Sequence, residues 1–254
     1  MMAVKTDRGD ARLIAQAMRV GWYRAVHVKS EASRVVRLLL GNRRRLVEQR
    51  VALDNGIRGA LKPFGIKLGS VSEARFAERV RMLLSHRAEL LALIEPMLAV
   101  RATLRAQIKV LHRQVLALVR GSALCRRLMT APGVGAVVAL SVVSGIDDPK
   151  RFARARAVGA HFGLTPRKYA SGEVDRNGRI SKAGDDAVRT ALFQAAHTLL
   201  TRCRSWSALK AWGVRLAKRR GLRRATAALA RKLAGVLWRM WIDGTGFRAG
   251  AKPA

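Results

Sequence analysis

Acidic residues are scarce in this sequence. Sixteen Asp and Glu stand against 50 Lys and Arg in 254 residues, a formal charge of +34. A folded chain with that imbalance repels itself unless a polyanion neutralises it. The abundant polyanion is nucleic acid, whose phosphates release counterions when Lys and Arg replace them. A GC-rich genome accounts for Arg in place of Lys, but not for the missing acids. Cysteine is nearly absent: Cys125 and Cys203 lie far apart with no CxxC spacing. That excludes a disulfide framework and a cysteine zinc site, and fits a reducing compartment; both read as small buried hydrophobes. The five histidines form no HxH or HxxxH pair, so no histidine metal cluster is visible. No apolar run reaches the roughly 18 residues of a membrane span. The opening MMAVKTDRGDA lacks the apolar segment of a signal peptide. These absences lead to an expectation of a cytoplasmic, nucleoid-associated protein. Half the residues are hydrophobic, which excludes a disordered tail and leaves room for one large domain or two modest ones.

The helical patterning comes next. Residues 10–20 predict a short helix, with Asp10 as its cap and Gly21 as its stop, and a brief apolar stretch follows over 22–28. Ser30 and Glu31 open a long Arg-rich helix toward Leu61, ended by Pro63 and Gly65. Over 85–120, Leu90, Ile94, Met97, Arg101, Leu104, Ile108, Leu111, Val115 and Leu118 alternate spacings of four and three. That is a coiled-coil seam broken only by Arg101. Pro96 inside it predicts a kink or the true helix start. Such a seam needs a partner, either a helix of this chain or the same helix of a second subunit, and self-association is the favoured reading. After Gly121 helices shorten and Gly and Pro punctuate them, which places a domain boundary near 121. Asp185 and Asp186 start a further helix by capping and by the dipole. Two more follow over 206–219 and 223–242. Between Ala187 and Ile242 stand 13 Lys and Arg and no acid, so these helices read as apolar on one side and cationic on the other. The fold class is mostly α: a long helical coiled-coil arm and a compact helical domain.

Three motifs carry chemistry. LMTAPGVGAVVAL, residues 128–140, reads as helix, Pro-Gly-x-Gly turn, helix. Gly133 and Gly135 permit positive φ and close backbone approach, and with Val134 they open the second helix, whose free amides suit a phosphate. This is a helix-hairpin-helix pattern, which grips the DNA backbone without reading bases; a plain helical corner is the alternative. LTPRKYASGEVDRNGRISKAGDDAVRTAL, residues 164–192, predicts a small hairpin or ordered loop, with Asn177-Gly178 as a turn signal. In it Ser171 precedes a glycine amid Arg167, Lys168, Arg176, Arg179 and Lys182. A nucleophilic serine needs exposure and cations to hold phosphate oxygens, although an ordinary turn serine fits the local sequence as well. Ser181 is a second hydroxyl suited to capping the following turn. In KTDRGDA, residues 5–11, Asp7 and Asp10 share a helix face. Paired carboxylates can hold a divalent metal, though two fall short of a two-metal nuclease site; capping and solvation explain them equally.

Taken in order, these motifs resemble the DEDD insertion-sequence transposases, relatives of the Piv DNA invertase also called bridge recombinases. KTDRGDA resembles the end of that family's RuvC-like catalytic domain, and the other two motifs resemble its C-terminal transposase domain. The resemblance implies three parts: a RuvC-like remnant over 1–29, long helices and coiled coil over 30–120, and the serine-bearing domain over 121–254. It implies DNA as substrate, Mg2+ as cofactor, a structured guide RNA as partner and a homo-oligomer joined through the coiled coil. Residue by residue, Ser171 corresponds to the nucleophile that forms a phosphoserine link to DNA, and Asp7 and Asp10 to the last two acids of the metal tetrad. Two departures stand out. Residue 170 is Ala where a polar residue is common, and the first two acids of the tetrad have no counterpart in this sequence. The expectation is an N-terminally truncated copy that binds DNA and recombines it weakly or not at all. The reading from another class is a non-catalytic architectural or inhibitory DNA- or RNA-binding protein.

Overall fold

Two units make up the chain, Met1–Ser30 and Glu31–Ala254. The structure, a computed structural model, describes residues 6–23 and 25–250. In the first unit, helix α1 spans Asp7–Arg19. Thr6 is extended, and its hydroxyl accepts a hydrogen bond from the Gly9 amide at 3.1 Å. The cap is therefore Thr6 rather than Asp10, and the helix starts three residues earlier than the pattern suggested. Gly9 is buried inside the first turn. Asp7 and Asp10 both lie in that turn, where their charge complements the positive end of the helix dipole. Gly21, with φ 68°, turns the chain out of the helix.

The second unit is built on two long helices. Helix α2 (Glu31–Leu61) ends through a 3₁₀ turn over Lys62–Phe64, closed by Gly65 at φ 76°. Helix α3 (Phe76–Leu83) bridges to α4 (Ala88–Gly121). Pro96 lies within α4, which begins eight residues before it. Ile57 and Leu61 of α2 share a small core with Ile94 and Leu98 of α4, together with Leu68, Phe76, Val80 and Leu84. At the other end Val115 and Val119 join a larger core that Val36, Leu39 and Leu40 of α2 pack against. The two helices are thus antiparallel, in register over about 45 Å at 1.5 Å per residue. Most of the seam faces α2 and the elements beside it: Ile94, Arg101 and Val115 are buried, and Leu104, Ile108 and Leu111 are half-buried. Leu118 falls off the stripe and is exposed, its place taken by Val119. The partner the seam requires is supplied by the same chain.

The larger core gathers around α10. Helices α5 (Ala123–Leu128), α6 (Ala136–Ile146), α7 (Ala155–His161), α8 (Asp186–Thr201), α9 (Ala208–Arg220) and α10 (Leu222–Ile242) complete it. Leu229, Leu233 and Leu237, at spacings of four, are fully buried in α10; each such side chain contributes roughly 1.5–3 kcal/mol. Ser122, Asp185 and Ser207 cap α5, α8 and α9. Packing shows no break near residue 121, because Val115 and Val119 of α4 belong to the same core as Cys125 and Leu128. Cys125 is buried, which pushes its thiol up against a weaker opposing hydrogen bond with Ser122. Strands β1 (Pro166–Ser171) and β2 (Val174–Ile180) form one antiparallel pair inserted between α7 and α8. No described helix is long and apolar enough to cross a membrane.

Candidate nucleic-acid interface

The two strands form an exposed blade on a helical base. Every residue of β1 is solvent-exposed. The ladder pairs Lys168 with Asn177, Tyr169 with Arg176, Ala170 with Asp175 and Ser171 with Val174, so the turn is Gly172-Glu173. Asn177-Gly178, the stronger turn signal on paper, lies inside β2 instead. Gly172 takes φ 54° while Glu173 stays out of the left-handed region, the pattern of a II′ turn with glycine first. Gly178 has a different purpose: a Cβ there would sit 2.6 Å from the Tyr169 ring. Directly paired residues share a face, and alternate residues return to it. Arg167, Tyr169 and Ser171 therefore lie on the face of Arg176, whose guanidinium is 5.8 Å from the Tyr169 ring centre. Lys168 is tied to Asp175 at 2.9 Å. Arg167, Arg176, Arg179 and Lys182 line a concavity of about 530 Å³ with Tyr169 and no acid. Ser171 is exposed beside this cationic face, at the last ladder position before the glycine turn.

What aims the blade is its root. Ser181 donates its amide to the Thr165 carbonyl at 2.8 Å, and Lys182, itself at φ 57°, donates to Gly163 at 3.1 Å. The Ser181 hydroxyl accepts from the Ala183 amide at 3.4 Å. Gly163 and Gly184 have positive φ, and a Cβ on either would overlap the backbone of Ala183 or His161 respectively. Arg189, buried in the first turn of α8, clamps both sides. It donates to the carbonyls of Phe162 and Ala183 at 3.2 and 3.3 Å and to Asp186 at 2.8 Å. Asp185 caps α8 through the Val188 amide at 3.2 Å and is ion-paired to Arg37 of α2. Burial alone would raise the Asp185 carboxyl, but the Arg37 hydrogen bond, the Val188 amide and the Arg37 charge together hold it below its ordinary value.

The Pro-Gly-x-Gly segment joins α5 to α6 as expected, and the structure assigns its three residues different tasks. Gly133, at φ 83°, is where α8 comes closest: a Cβ would collide with the Ala195 carbonyl. Val134 is buried, and its amide is already committed to the Ala131 carbonyl at 3.1 Å. Only Gly135 is exposed, as the residue preceding α6, with no side-chain cap. The turn lines a depression with Thr198, Trp206 and Phe247, separate in its lining from the blade.

Comparison with known proteins follows the same segments. Residues 125–212 match the family described as transposase IS116/IS110/IS902, and residues 2–65 match the DEDD-type IS110 transposases. The transposase for insertion sequence element IS1111A of Coxiella burnetii is 34% identical over 97% of this chain and 69% of its own length. A probable family 20 transposase of Pseudomonas aeruginosa is 34% identical over 97% of this chain and 75% of its own. The chain belongs to the IS116/IS110/IS902 transposase family. The turn, the blade and α8 all fall within the first family match, and α1 and α2 within the second. Most of the α4 arm lies between them.

The DEDD type calls for a divalent metal held by four acids. In this transposase chain Asp7 and Asp10 offer two, in one turn of α1. Among the described residues no three His, Cys, Asp or Glu side chains converge. The described residues do not complete such a site. Other features escaped the sequence reading. Lys218, Arg219, Arg220, Arg223 and Arg224 are all exposed where Gly221 breaks α9 from α10 at φ 80°, a five-cation corner without a described ion pair. Asp54, Glu73, Glu95, Asp185 and Asp186 each pair with an arginine of the fold.

Proposed function

We propose that this transposase moves an insertion-sequence element by phosphodiester transfer through Ser171. The Ser171 oxygen attacks a DNA phosphorus, its proton passes to a base, and the displaced sugar oxygen leaves. The serine–phosphate ester then hands the phosphorus to the incoming strand's hydroxyl, and the serine is restored. The observation that carries this reading is an exposed hydroxyl at the end of a ladder whose same face bears Arg167 and Arg176. Cations held there stabilise the charge that develops on phosphate oxygens. Gly135 and the five-cation corner between α9 and α10 supply backbone contacts that position the duplex. By family resemblance a structured guide RNA and a second subunit take part. The exposed apolar residues Leu93, Val100 and Leu118 on the arm are the surface such a subunit would cover, since the seam itself packs inside the chain.

A second reading, DNA binding without strand transfer, is favoured by the five exposed cations between α9 and α10, which can hold a phosphate backbone without any chemistry. One experiment separates the two. The chain is incubated with element-end duplex, denatured, and assayed for a covalent protein–DNA adduct. The expected result is an adduct from the wild type and none from Ser171→Ala, with duplex affinity and thermal midpoint unchanged. An adduct that persists in Ser171→Ala rejects the serine. Binding without any adduct from the wild type selects the second reading.

A further inference from the structure

A pocket of about 340 Å³ lies between α2, α6 and α8, away from the blade. Its walls mix Leu40, Val47, Val137 and Val188 with the hydroxyls of Ser141 and Ser144, and three arginines of α2 enter it. Two of those arginines are spoken for. Arg37 pairs with Asp185, and Arg44 pairs with Glu48 at 2.7 Å and Asp186 at 3.2 Å. Arg43 has no hydrogen bond or ion pair to any described residue, and its Nε is buried without an acceptor. Burial pushes its guanidinium below the ordinary value. The neighbouring His112 gives no relief. Its Nδ1 is likewise buried without a partner, and burial, then the Arg43 charge, lower its pKa. Arg43 is half-buried; a guanidinium drawn partly out of water with no counter-charge gains nothing for the fold, and an orphaned buried polar atom such as its Nε calls for a reason. The one acid of the lining, Glu48, is committed to Arg44, so Arg43 is left without an anion beside an apolar wall, in a volume near the lower end of the roughly 300–1,000 Å³ typical of small-ligand sites.

We propose that this pocket takes one nucleotide unit, its phosphate on Arg43 and its base against the Leu40, Val137 and Val188 wall. A planar guanidinium matches phosphate oxygens two at a time. A bare phosphate would leave the apolar wall unused, and a duplex cannot enter. The unit belongs either to a free nucleotide or to a strand unpaired during strand exchange. The assignment rests on the nucleic-acid reading above, but not on Ser171.

The test compares Arg43→Met and Arg43→Lys with the wild type at fixed salt. The probes are a short single-stranded oligothymidylate, thymidine 5′-monophosphate and a mixed-sequence duplex. Arg43→Met should weaken oligothymidylate binding about tenfold or more, the loss expected for a charged hydrogen bond. Arg43→Lys should recover part of it. Duplex affinity should hold, and the melting temperature of Arg43→Met should stay level or rise, since an uncompensated charge is gone. Competition by thymidine monophosphate identifies a free-nucleotide site; binding of the strand alone identifies a unit read within a chain. A lower melting temperature for Arg43→Met, or unchanged oligothymidylate affinity, overturns the proposal. A wild type that binds neither strand nor duplex removes the nucleic-acid reading with it.

Discussion

Arg101, buried in α4, and Arg43, half-buried in α2, both belong to the α2–α4 arm, yet their surroundings differ. Arg101 is 1% exposed and ion-paired. Its Nε donates to Asp54 at 2.5 Å, its Nη2 to the Glu73 carbonyl at 2.9 Å, and its guanidinium lies 4.6 Å from the Phe76 ring centre. Asp54 also holds Arg50 at 3.0 Å. The only non-apolar residue of the seam is therefore the pin that fastens the 66–75 connection to both long helices. Arg43 has none of these partners. A charge that the fold neutralises for itself is part of the framework, whereas a charge left bare in a pocket points to something the chain does not contain.

That contrast can be broken or sharpened by substitution. Arg101→Met should cost the most, about 3 kcal/mol, because it strands Asp54 with Arg50 alone; chemical denaturation reads the loss directly. Arg189→Met removes a clamp with three acceptors and should cost about 2 kcal/mol. It should also make the 165–182 blade an early site of limited proteolysis while the helices hold. Asp185→Asn cuts the tie to half-exposed Arg37 and should cost about 1 kcal/mol at neutral pH. Because the Asp185 carboxyl is held low in the folded state, its contribution is present above the ordinary carboxylate value and is lost as pH falls through the folded one. Wild type and variant should thus converge in acid, below about pH 4. Arg43→Met closes the series with the opposite sign, level or slightly stabilising, and an Arg43→Met loss resembling that of Arg101→Met would erase the distinction.

Local pattern made the long helices legible. Apolar spacing and the Pro63–Gly65 stop delimited α2, and the four-three rhythm through Val115 delimited α4. The partner of that rhythm was not legible, because pairing α4 with a helix on the far side of the 62–87 connection is a long-range fact that periodicity does not encode. Turn chemistry misled at the blade. Asn-Gly is the stronger hairpin signal, but Gly178 is required by the Tyr169 ring above it and Gly172 makes the turn. Gly133 read as a phosphate cradle, while its bare Cα serves the passage of α8. Arg43 and Arg189 were invisible among 50 cations, since only burial and partners distinguish them. Ser171 and its surrounding cations stood out because their chemistry is local, on one short strand pair.

The blade enters and leaves the helical base at adjacent positions, Pro166 opposite Ile180, and none of the described side chains of β1 is buried. Its span can therefore change without disturbing the interior. Adding or removing whole ladder pairs would extend or retract its tip by about 3.4 Å for each pair, while the Gly163–Gly184 seat stayed put. The helices form a fixed handle, and the number of ladder pairs sets how far from it the serine is carried.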